Sequence, residues 1–133
     1  YYAETARVLA LKGAELILYP LYGDTMKEQW DIKLKARAID NTVYIASAAI
    51  DSENSYSGMI DPMGRVICKL EAKGSWKVVE IDLGERIITN TSAKPGQYEY
   101  IKECLLYGRN TDVYGELTKQ IKTPSLEEII IYK

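Results

Sequence analysis

The chain contains no histidine among its 133 residues. Without an imidazole, serine–histidine–aspartate and cysteine–histidine catalysis are excluded within this chain, and so is every metal site that needs a histidine ligand. Phenylalanine is also absent, and tyrosine supplies eleven of the thirteen aromatic residues. Any catalytic chemistry of this chain must therefore rest on other side chains.

Cysteine is nearly as scarce, since the chain has only Cys68 and Cys104, which lie far apart in the sequence. One such pair in a domain of this size is not a disulfide framework. We therefore expect a reduced, cytoplasmic protein and interpret both cysteines as half-buried structural residues.

Long apolar runs and a strong charge of one sign are missing as well. No stretch approaches 18 consecutive apolar residues, and no basic region precedes an apolar segment, so the sequence predicts neither a membrane span nor a signal peptide. The net charge of −2 argues against nucleic acid as a partner, which favours a basic stripe. An initiator methionine is absent too, and we expect the chain to be a piece of a longer protein.

The first fifty residues alternate between helical and strand-like patterns. Apolar spacing predicts a helix over residues 3–13, ended by Gly13, and a second helix over residues 26–40. Short apolar runs predict buried strands over residues 15–20 and 43–49. Because the connections are short, we expect a βαβ unit whose two strands are parallel neighbours.

The remaining residues change character. Turn residues 61–64 predict a hairpin between strands 57–60 and 65–70, and alternation predicts a further strand over residues 76–83. Residues 84–98 are expected to form an extended tail. The last part of the chain is expected to contain short helices over residues 99–107 and 111–121, and an apolar segment, 129–132, that pairs or packs.

Several sequence words then appear in the order of one family. The chain resembles the C-terminal half of the nitrilase, or carbon–nitrogen hydrolase, superfamily. The matching words lie at residues 2–7 (YAETAR), 12–20 (KGAELILYP), Trp30, 36–41 (ARAIDN), 57–66 (SGMIDPMGRV) and 79–83 (VEIDL), with a weaker match at 109–114 (RNTDVY).

The resemblance implies an α/β fold, namely the C-terminal half of a four-layer αββα sandwich over residues 1–83. Residues 84–133 would be a C-terminal extension that contacts an oligomer partner. The family's chemistry uses a cysteine that attacks the substrate carbon, a glutamate as general base and acid, and a lysine at the oxyanion. All three residues would lie upstream of Tyr1, so we expect this chain alone to be inactive and assign it no catalytic residue, metal or cofactor.

Candidate substrate-binding residues are Glu4, Tyr19, Leu21 and Tyr22. The last three lie at the carboxyl end of a parallel strand, where open α/β sheets place ligands, and the resemblance places pocket residues in the same loop. Glu4 directly follows the position implied for the nucleophile. The alternative is structural: Glu4 is a first-turn carboxylate that the helix dipole favours, with Arg7 as its partner, and the two tyrosines pack.

Other polar and aromatic residues are interpreted as structural. Trp30 is expected in the core or at an interface, and Asp61 in a turn. Arg37, Asp40 and Asn41 are expected to form a polar cluster at a helix end. Lys27, Lys33 and Lys35 are expected on a solvated helix face.

Three functional readings remain open. The first is part of a hydrolase that cleaves non-peptide C–N bonds in a small amide or N-carbamoyl compound, in preference to a nitrile. The second is an inactive, truncated or degenerate relative that acts in assembly. The third and weakest is an unrelated nucleotide-binding domain, since no glycine-rich loop follows either parallel strand.

The expected partners are the missing N-terminal half of the domain and a second copy of the chain. The resemblance implies an isologous dimer, or a higher oligomer, through helices 3–13 and 26–40, with no membrane or nucleic acid involved. Each large apolar side chain that a missing half leaves uncovered forfeits about 1.5–3 kcal/mol. We therefore predict that residues 1–83 do not fold stably alone.

Overall fold

The computed structural model describes residues 2–22, 27–50, 56–89 and 99–119. The first part of the chain contains α1 (Ala3–Leu11), β1 (Leu16–Leu21), α2 (Lys27–Asn41) and β2 (Tyr44–Ala49). This is the predicted order of elements, with each boundary displaced by at most two residues. β1 extends through Pro20, the second-last residue of the strand, where the missing N–H removes at most one ladder hydrogen bond.

The second part of the chain contains a hairpin and a short helical region. Its elements are β3 (Ser57–Ile60), β4 (Val66–Leu70), β5 (Ile88–Thr89), β6 (Glu99–Tyr100), α3 (Ile101–Tyr107), a 3₁₀ turn (Thr111–Tyr114) and α4 (Gly115–Thr118). The hairpin confirms the prediction. The helix predicted over 111–121 is instead a 3₁₀ turn followed by one α-helical turn, and the predicted apolar segment 129–132 lies outside the described residues.

Four strands form one sheet in the order β1-β2-β3-β4. β1 and β2 are parallel, from Leu16 opposite Tyr44 to Leu21 opposite Ala49, which confirms the predicted βαβ unit. β3 is antiparallel to both of its neighbours, β2 and β4. Within the described part of the chain β1 pairs with β2 alone, so the other edge of β1 is open.

Both long helices end in the same backbone motif. After α1, Gly13 has a φ of 93°, and the N–H groups of Gly13 and Ala14 donate to the carbonyls of Ala10 and Leu9 at 3.0 and 3.1 Å. This is a Schellman ending, which stops the helix at the predicted glycine.

Thr42 fills the corresponding position after α2. Its φ is 47°, and the N–H groups of Thr42 and Val43 donate to the carbonyls of Ile39 and Ala38. A β-branched residue in the left-handed region stores strain on the order of 1–3 kcal/mol. Thr42 is buried, and its hydroxyl donates to the Asn41 carbonyl at 2.8 Å, so its surroundings hold this conformation.

The core lies between the two helices and one face of the sheet. Ile17, Ile45 and Ile60 are neighbours across three strands and are all buried. They belong to one apolar cluster with residues of both helices and of α3: Ala6, Ala10, Trp30, Leu34, Ala38 and Leu106. On the other face of β1, Leu18 is 71% exposed. One side of the edge strand is thus packed and the other is open.

The prediction of a strand over residues 76–83 is wrong. Trp76 and Val78 are 80% and 81% exposed, and the segment forms no β-ladder with the strands of the described chain. Alternating side chains favour a strand, but a strand is stable only when a neighbouring edge accepts its backbone hydrogen bonds.

The extended tail predicted over 84–98 also needs correction. Ile88 pairs with Tyr100, and Thr89 pairs with Glu99, so residues 88–89 form strand β5 within the predicted tail and residues 99–100 form β6 directly after it. Residues 90–98 lie outside the described part. Because residues 99–100 belong to β6, the helix predicted over 99–107 begins at Ile101, whose N–H donates to the Ile87 carbonyl.

Candidate functional site

The carboxyl ends of β1 and β2 lie side by side. Tyr19 is opposite Ser47 and Leu21 is opposite Ala49, and the Ile50 N–H donates to the Leu21 carbonyl at 3.2 Å. Tyr22 follows directly and is 81% exposed. Three of the four predicted binding residues, Tyr19, Leu21 and Tyr22, thus lie together at the carboxyl ends of the parallel strands.

A groove, which we name the β1 groove, runs along β1 between the two long helices. Its volume is about 210 Å³, and it is lined by Tyr2, Thr5, Ala6, Leu9, Ile17, Leu18, Tyr19, Trp30, Lys33, Leu34, Arg37 and Ile45. Tyr19 is thus a lining residue, whereas Leu21 and Tyr22 lie beyond it at the end of the strand. Most of this wall is apolar, which suits packing or an apolar ligand surface.

Trp30 organises one side of the β1 groove. Its ring lies 5.8 Å from the ring of Tyr19, with the two planes tilted by 49°, and the Lys33 ammonium lies 5.3 Å from the Trp30 ring centroid. Lys33 also donates to the Gln29 side chain at 3.3 Å. Tilted aromatic pairs and cation–π contacts each contribute about 0.5–1 kcal/mol. Trp30 is 6% exposed, so the structure places it in the core, one of its two predicted positions.

Glu4 lies away from the other three predicted binding residues. It lines a second groove of about 460 Å³, the α1–α2 groove, which lies between the two long helices and the described end of the chain. The lining residues are Ala3, Glu4, Arg7, Val8, Leu11, Arg37, Asp40, Asn41, Arg109, Tyr114, Leu117 and Thr118. The structure therefore does not bring Glu4 together with Tyr19.

Arg7 does not pair with Glu4, which corrects the expected contact. Its guanidinium donates instead to two backbone carbonyls, those of Asp40 at 2.7 Å and Leu105 at 3.4 Å. Both carbonyls lie in the last turn of a helix, where the helix dipole favours a cation. Arg7 thereby joins α1 to α2 and α3.

The polar cluster at the end of α2 is structural, as predicted. Asn41 is buried, and its amide donates to the Arg37 carbonyl at 2.8 Å. Asp40 takes part through its backbone carbonyl, which accepts from Arg7. These contacts fix the helix end that leads into β2.

Neither cysteine lies at a turn from strand to helix. Cys68 is half-buried in β4, opposite Met59, and Cys104 is half-buried in α3, where its thiol lies 3.0 Å from a Glu99 carboxylate oxygen. Both positions agree with structural roles.

A polar network at the exit of β2 was not predicted. The Ser47 hydroxyl donates to the Tyr56 carbonyl at 2.9 Å, and the Ala49 N–H donates to the Ser57 hydroxyl oxygen at 3.0 Å. Tyr56 itself is 1% exposed, and burial raises the pKa of its phenol to about 12. Serines inside a strand pattern give no local signal for such contacts, because their partners lie eight or nine residues away.

The contacts of Lys102 were not predicted from the sequence either. Its ammonium lies 2.6 Å from a carboxylate oxygen of Glu15 and donates to the Ala14 carbonyl at 3.3 Å. The two charged side chains are only 14% and 31% exposed. Because 87 residues separate them, no local pattern could have predicted this pair.

The described ranges, 2–22, 27–50, 56–89 and 99–119, lack two features, a group of metal-ligating side chains and a helix that could cross a membrane. Within those ranges no three His, Cys, Asp or Glu side chains gather as a metal site would require. In the same part of the chain, no helix combines the length and apolarity that crossing a membrane demands.

Residues 1–90 match the family model of the carbon-nitrogen hydrolases, and the chain belongs to this family. The fold agrees. A carbon–nitrogen hydrolase from Helicobacter pylori G27 superposes over 90% of this chain and 46% of its own, with a TM-score of 0.64 and 21% identity. The α/β fold is therefore that of the nitrilase superfamily, and the reading as an unrelated nucleotide-binding domain is wrong.

The curated relatives of the chain include omega-amidases. The chain is 37% identical to omega-amidase NIT2 of Danio rerio over 91 residues, which cover 62% of this chain and 33% of the relative. It is 33% identical to omega-amidase NIT2 of Homo sapiens over the same length and shares. The chain thus spans about a third of the length of the curated relatives it matches.

Proposed function

We propose that this chain is the C-terminal part of a hydrolase that cleaves the C–N bond of a small amide. Family membership supports hydrolysis of a non-peptide C–N bond, and the omega-amidase relatives favour a terminal amide over an N-carbamoyl compound or a nitrile. In this proposal the catalytic glutamate, lysine and cysteine lie upstream of Tyr1, and the chain alone performs no turnover.

The observation that carries the proposal is the shared edge of the parallel strands. Tyr19, Leu21 and Tyr22 lie there beside the end of β2, at the position where an α/β sheet receives its ligand. We assign substrate contact to Leu21 and Tyr22 and a supporting position to Tyr19, whose ring also packs on Trp30. Glu4, which lies in the α1–α2 groove, would act near the nucleophile turn rather than on the substrate.

The open edge of β1 supports the proposed partner. A further parallel strand that precedes α1 would pair with β1 by the same right-handed crossover that joins β1 to β2. Such a strand would end beside Leu21 and could carry the cysteine to the substrate edge. We also propose that residues 1–83 belong to the hydrolase domain and that residues 84–133 form its extension.

Tyr22 provides the test of the site. We expect Tyr22→Ala in the complete protein to lower kcat/KM for a terminal amide about tenfold, since an aromatic contact of about 1.4 kcal/mol is lost. Trp76→Ala is the matched control, because Trp76 is an aromatic residue of nearly equal exposure (80%) and lies outside the helices and strands. Equal kcat/KM values for the two variants would remove Tyr22 from the substrate edge.

The second candidate function is an inactive relative that acts in assembly. The exposed apolar residues of the long helices favour it, among them Val8 (49% exposed) and Ile32 (66%). It predicts that the complete protein binds a second copy but hydrolyses no amide.

A dimer through the long helices is proposed with either function, with residues 84–133 reaching over the neighbour. Since Trp30 and Leu34 are buried within one chain, the informative variant is Val8→Glu with Ile32→Glu. We expect it to halve the molecular mass in solution, whereas Val78→Glu, at an 81% exposed site outside the helices, leaves the mass unchanged. An unchanged mass for the double variant would exclude this interface.

A further inference from the structure

Helix α3 is bonded to the connection between α1 and β1. The Lys102–Glu15 ion pair is 2.6 Å long and largely withdrawn from water, and the same ammonium donates to the Ala14 carbonyl. A cation that bonds both a carboxylate and a carbonyl is more strongly oriented than one in an exposed pair. The contact therefore fixes the connection through which the chain passes from α1 to β1.

A second anchor lies further along the same helix pair. Arg7, in the second turn of α1, donates to the Leu105 carbonyl near the end of α3 and to the Asp40 carbonyl near the end of α2. Between the two anchors Leu106 is 5% exposed and belongs to the same apolar cluster as Ala6 and Ala10. α1 is thus bonded to α3 through Arg7 and through the connection at its end, while its side packs against α2.

The N-terminal turn of α1 has no anchor of this kind. Tyr2 precedes the helix without a side-chain hydrogen bond to its first N–H groups, so the turn that carries Glu4 lacks a capping side chain. The direction of that turn is therefore set by the rest of α1, which packs against α2 and is bonded to α3 through Arg7 and Glu15. These contacts involve α3, which lies about a hundred residues later in the sequence.

We propose that α3 is a positioning element for the hydrolase site, with Lys102 and Arg7 as positioning residues. These two residues hold α1 at one angle to the sheet, and α1 in turn holds the segment that directly precedes the helix. The role at the site rests on the proposed function, whereas the anchoring of α1 does not.

Hydrogen exchange tests the anchoring. In the complete protein, Lys102→Met keeps most of the side-chain length but removes the charge, and we expect amide exchange over residues 7–11 to become at least tenfold faster. Exchange in β3 should stay within twofold, because a purely global loss of stability would accelerate both regions. The matched control is Lys73→Met, an exposed site at which no change is expected.

A neutral pair keeps the test decisive if the single variant does not fold. Glu15→Gln with Lys102→Met leaves no unpaired charge, and we expect its exchange in α1 to lie between those of the wild type and Lys102→Met. Exchange in α1 that is unchanged in both variants, or that rises equally in β3, would overturn the anchoring.

Kinetics of the same variants test the positioning. With a terminal amide as substrate, we expect Lys102→Met and Arg7→Met to lower kcat at least tenfold with KM changed less than twofold, and Arg7→Lys to recover part of the loss. Unchanged kcat together with faster exchange in α1 would overturn the positioning role. A wild-type protein that hydrolyses no amide would overturn the proposed function, and with it this role, while the exchange result would still decide the anchoring.

Discussion

Arg7 in α1 donates a 2.7 Å hydrogen bond to the backbone carbonyl of Asp40, in the last turn of α2. The two residues lie 33 positions apart in the sequence, and the bond places a positive charge at the last turn of α2, where the helix dipole favours a cation. This contact, rather than an ion pair with Glu4, accounts for the arginine in the first family-like word of the sequence.

Removal of the guanidinium should weaken the fold. We expect Arg7→Met to lower the free energy of unfolding by about 1–3 kcal/mol, because it leaves carbonyls at two helix ends without this donor. Urea unfolding of the complete protein measures the difference. Arg86→Met, at an exposed arginine, is the control and should change stability by less than about 0.5 kcal/mol. Equal effects of the two substitutions would contradict the assigned contacts.

Tyr56 should limit stability at high pH. Burial raises the pKa of its phenol to about 12 from the ordinary value of 10.0, so the folded chain keeps this proton at a pH at which the unfolded chain releases it. Stability from this group is therefore fully present below pH 10 and is lost as pH rises toward 12. The loss is on the order of 2 kcal/mol.

The Tyr56→Phe variant checks this assignment. Among the described residues the buried Tyr56 hydroxyl finds no hydrogen-bond partner, so its removal at neutral pH should leave stability unchanged or raise it by about 1 kcal/mol. Urea unfolding at pH 8 and pH 11 should show a smaller alkaline loss for Tyr56→Phe than for the wild type or for Tyr107→Phe, an exposed control. Parallel losses in all three proteins would refute the role of Tyr56.

Asp61 should be the residue that holds the hairpin turn. Its carboxylate accepts from the N–H groups of Met63 and Arg65 at 2.9 and 2.8 Å and from the Arg65 guanidinium at 2.6 Å, and it raises the pKa of that guanidinium. We expect Asp61→Ala to cost about 3 kcal/mol, and Asp61→Asn about half as much.

Asp82 offers a matched control for that measurement. Its carboxylate also accepts from a backbone N–H, that of Gly84 at 2.7 Å, but the residue is exposed. Asp82→Ala should therefore cost less than about 1 kcal/mol in thermal or urea unfolding. A cost for Asp82→Ala that matches the cost for Asp61→Ala would show that burial and the arginine add nothing.

Gly58 should tolerate no side chain. A Cβ at this position would lie 2.3 Å from the Cys68 carbonyl oxygen and 3.0 Å from the Lys69 Cα, both of which are backbone atoms of the neighbouring strand. We expect Gly58→Ala to separate β3 from β4 locally and to cost about 3 kcal/mol. Gly115→Ala, where a Cβ meets open space at the start of α4, should be neutral or slightly stabilising.

Local signals in the sequence predicted much of the fold. Gly13 stops α1 because only the left-handed region completes its Schellman ending, and residues 61–64 form the expected turn. The parallel pairing of β1 and β2 followed from the short connections around α2. These features depend on neighbours within a few residues, which is the range that a sequence pattern reports.

Features that depend on distant partners were missed or misassigned. The segment 76–83, which was predicted to be a strand, has no neighbouring strand to pair with in the described part of the chain. Thr42 takes a left-handed conformation in which glycine is usual. Arg7 was expected to pair with Glu4 but donates to helix carbonyls instead. At the candidate site, Tyr19, Leu21 and Tyr22 could be placed together because strand ends share an edge. Glu4 was placed near them by sequence order, whereas α1 presents it to the other groove.

In the proposed function, this chain supplies one part of an amide-hydrolase site, and an N-terminal part supplies the catalytic residues. The direct measurement is release of ammonia from a terminal amide by the 133-residue chain alone, and by the chain combined with the N-terminal part of an omega-amidase relative. We predict no turnover by the chain alone, and turnover by the mixture that is lost when the cysteine of the N-terminal part is replaced by serine. Turnover by the chain alone that is abolished by Cys68→Ser or Cys104→Ser would contradict the account.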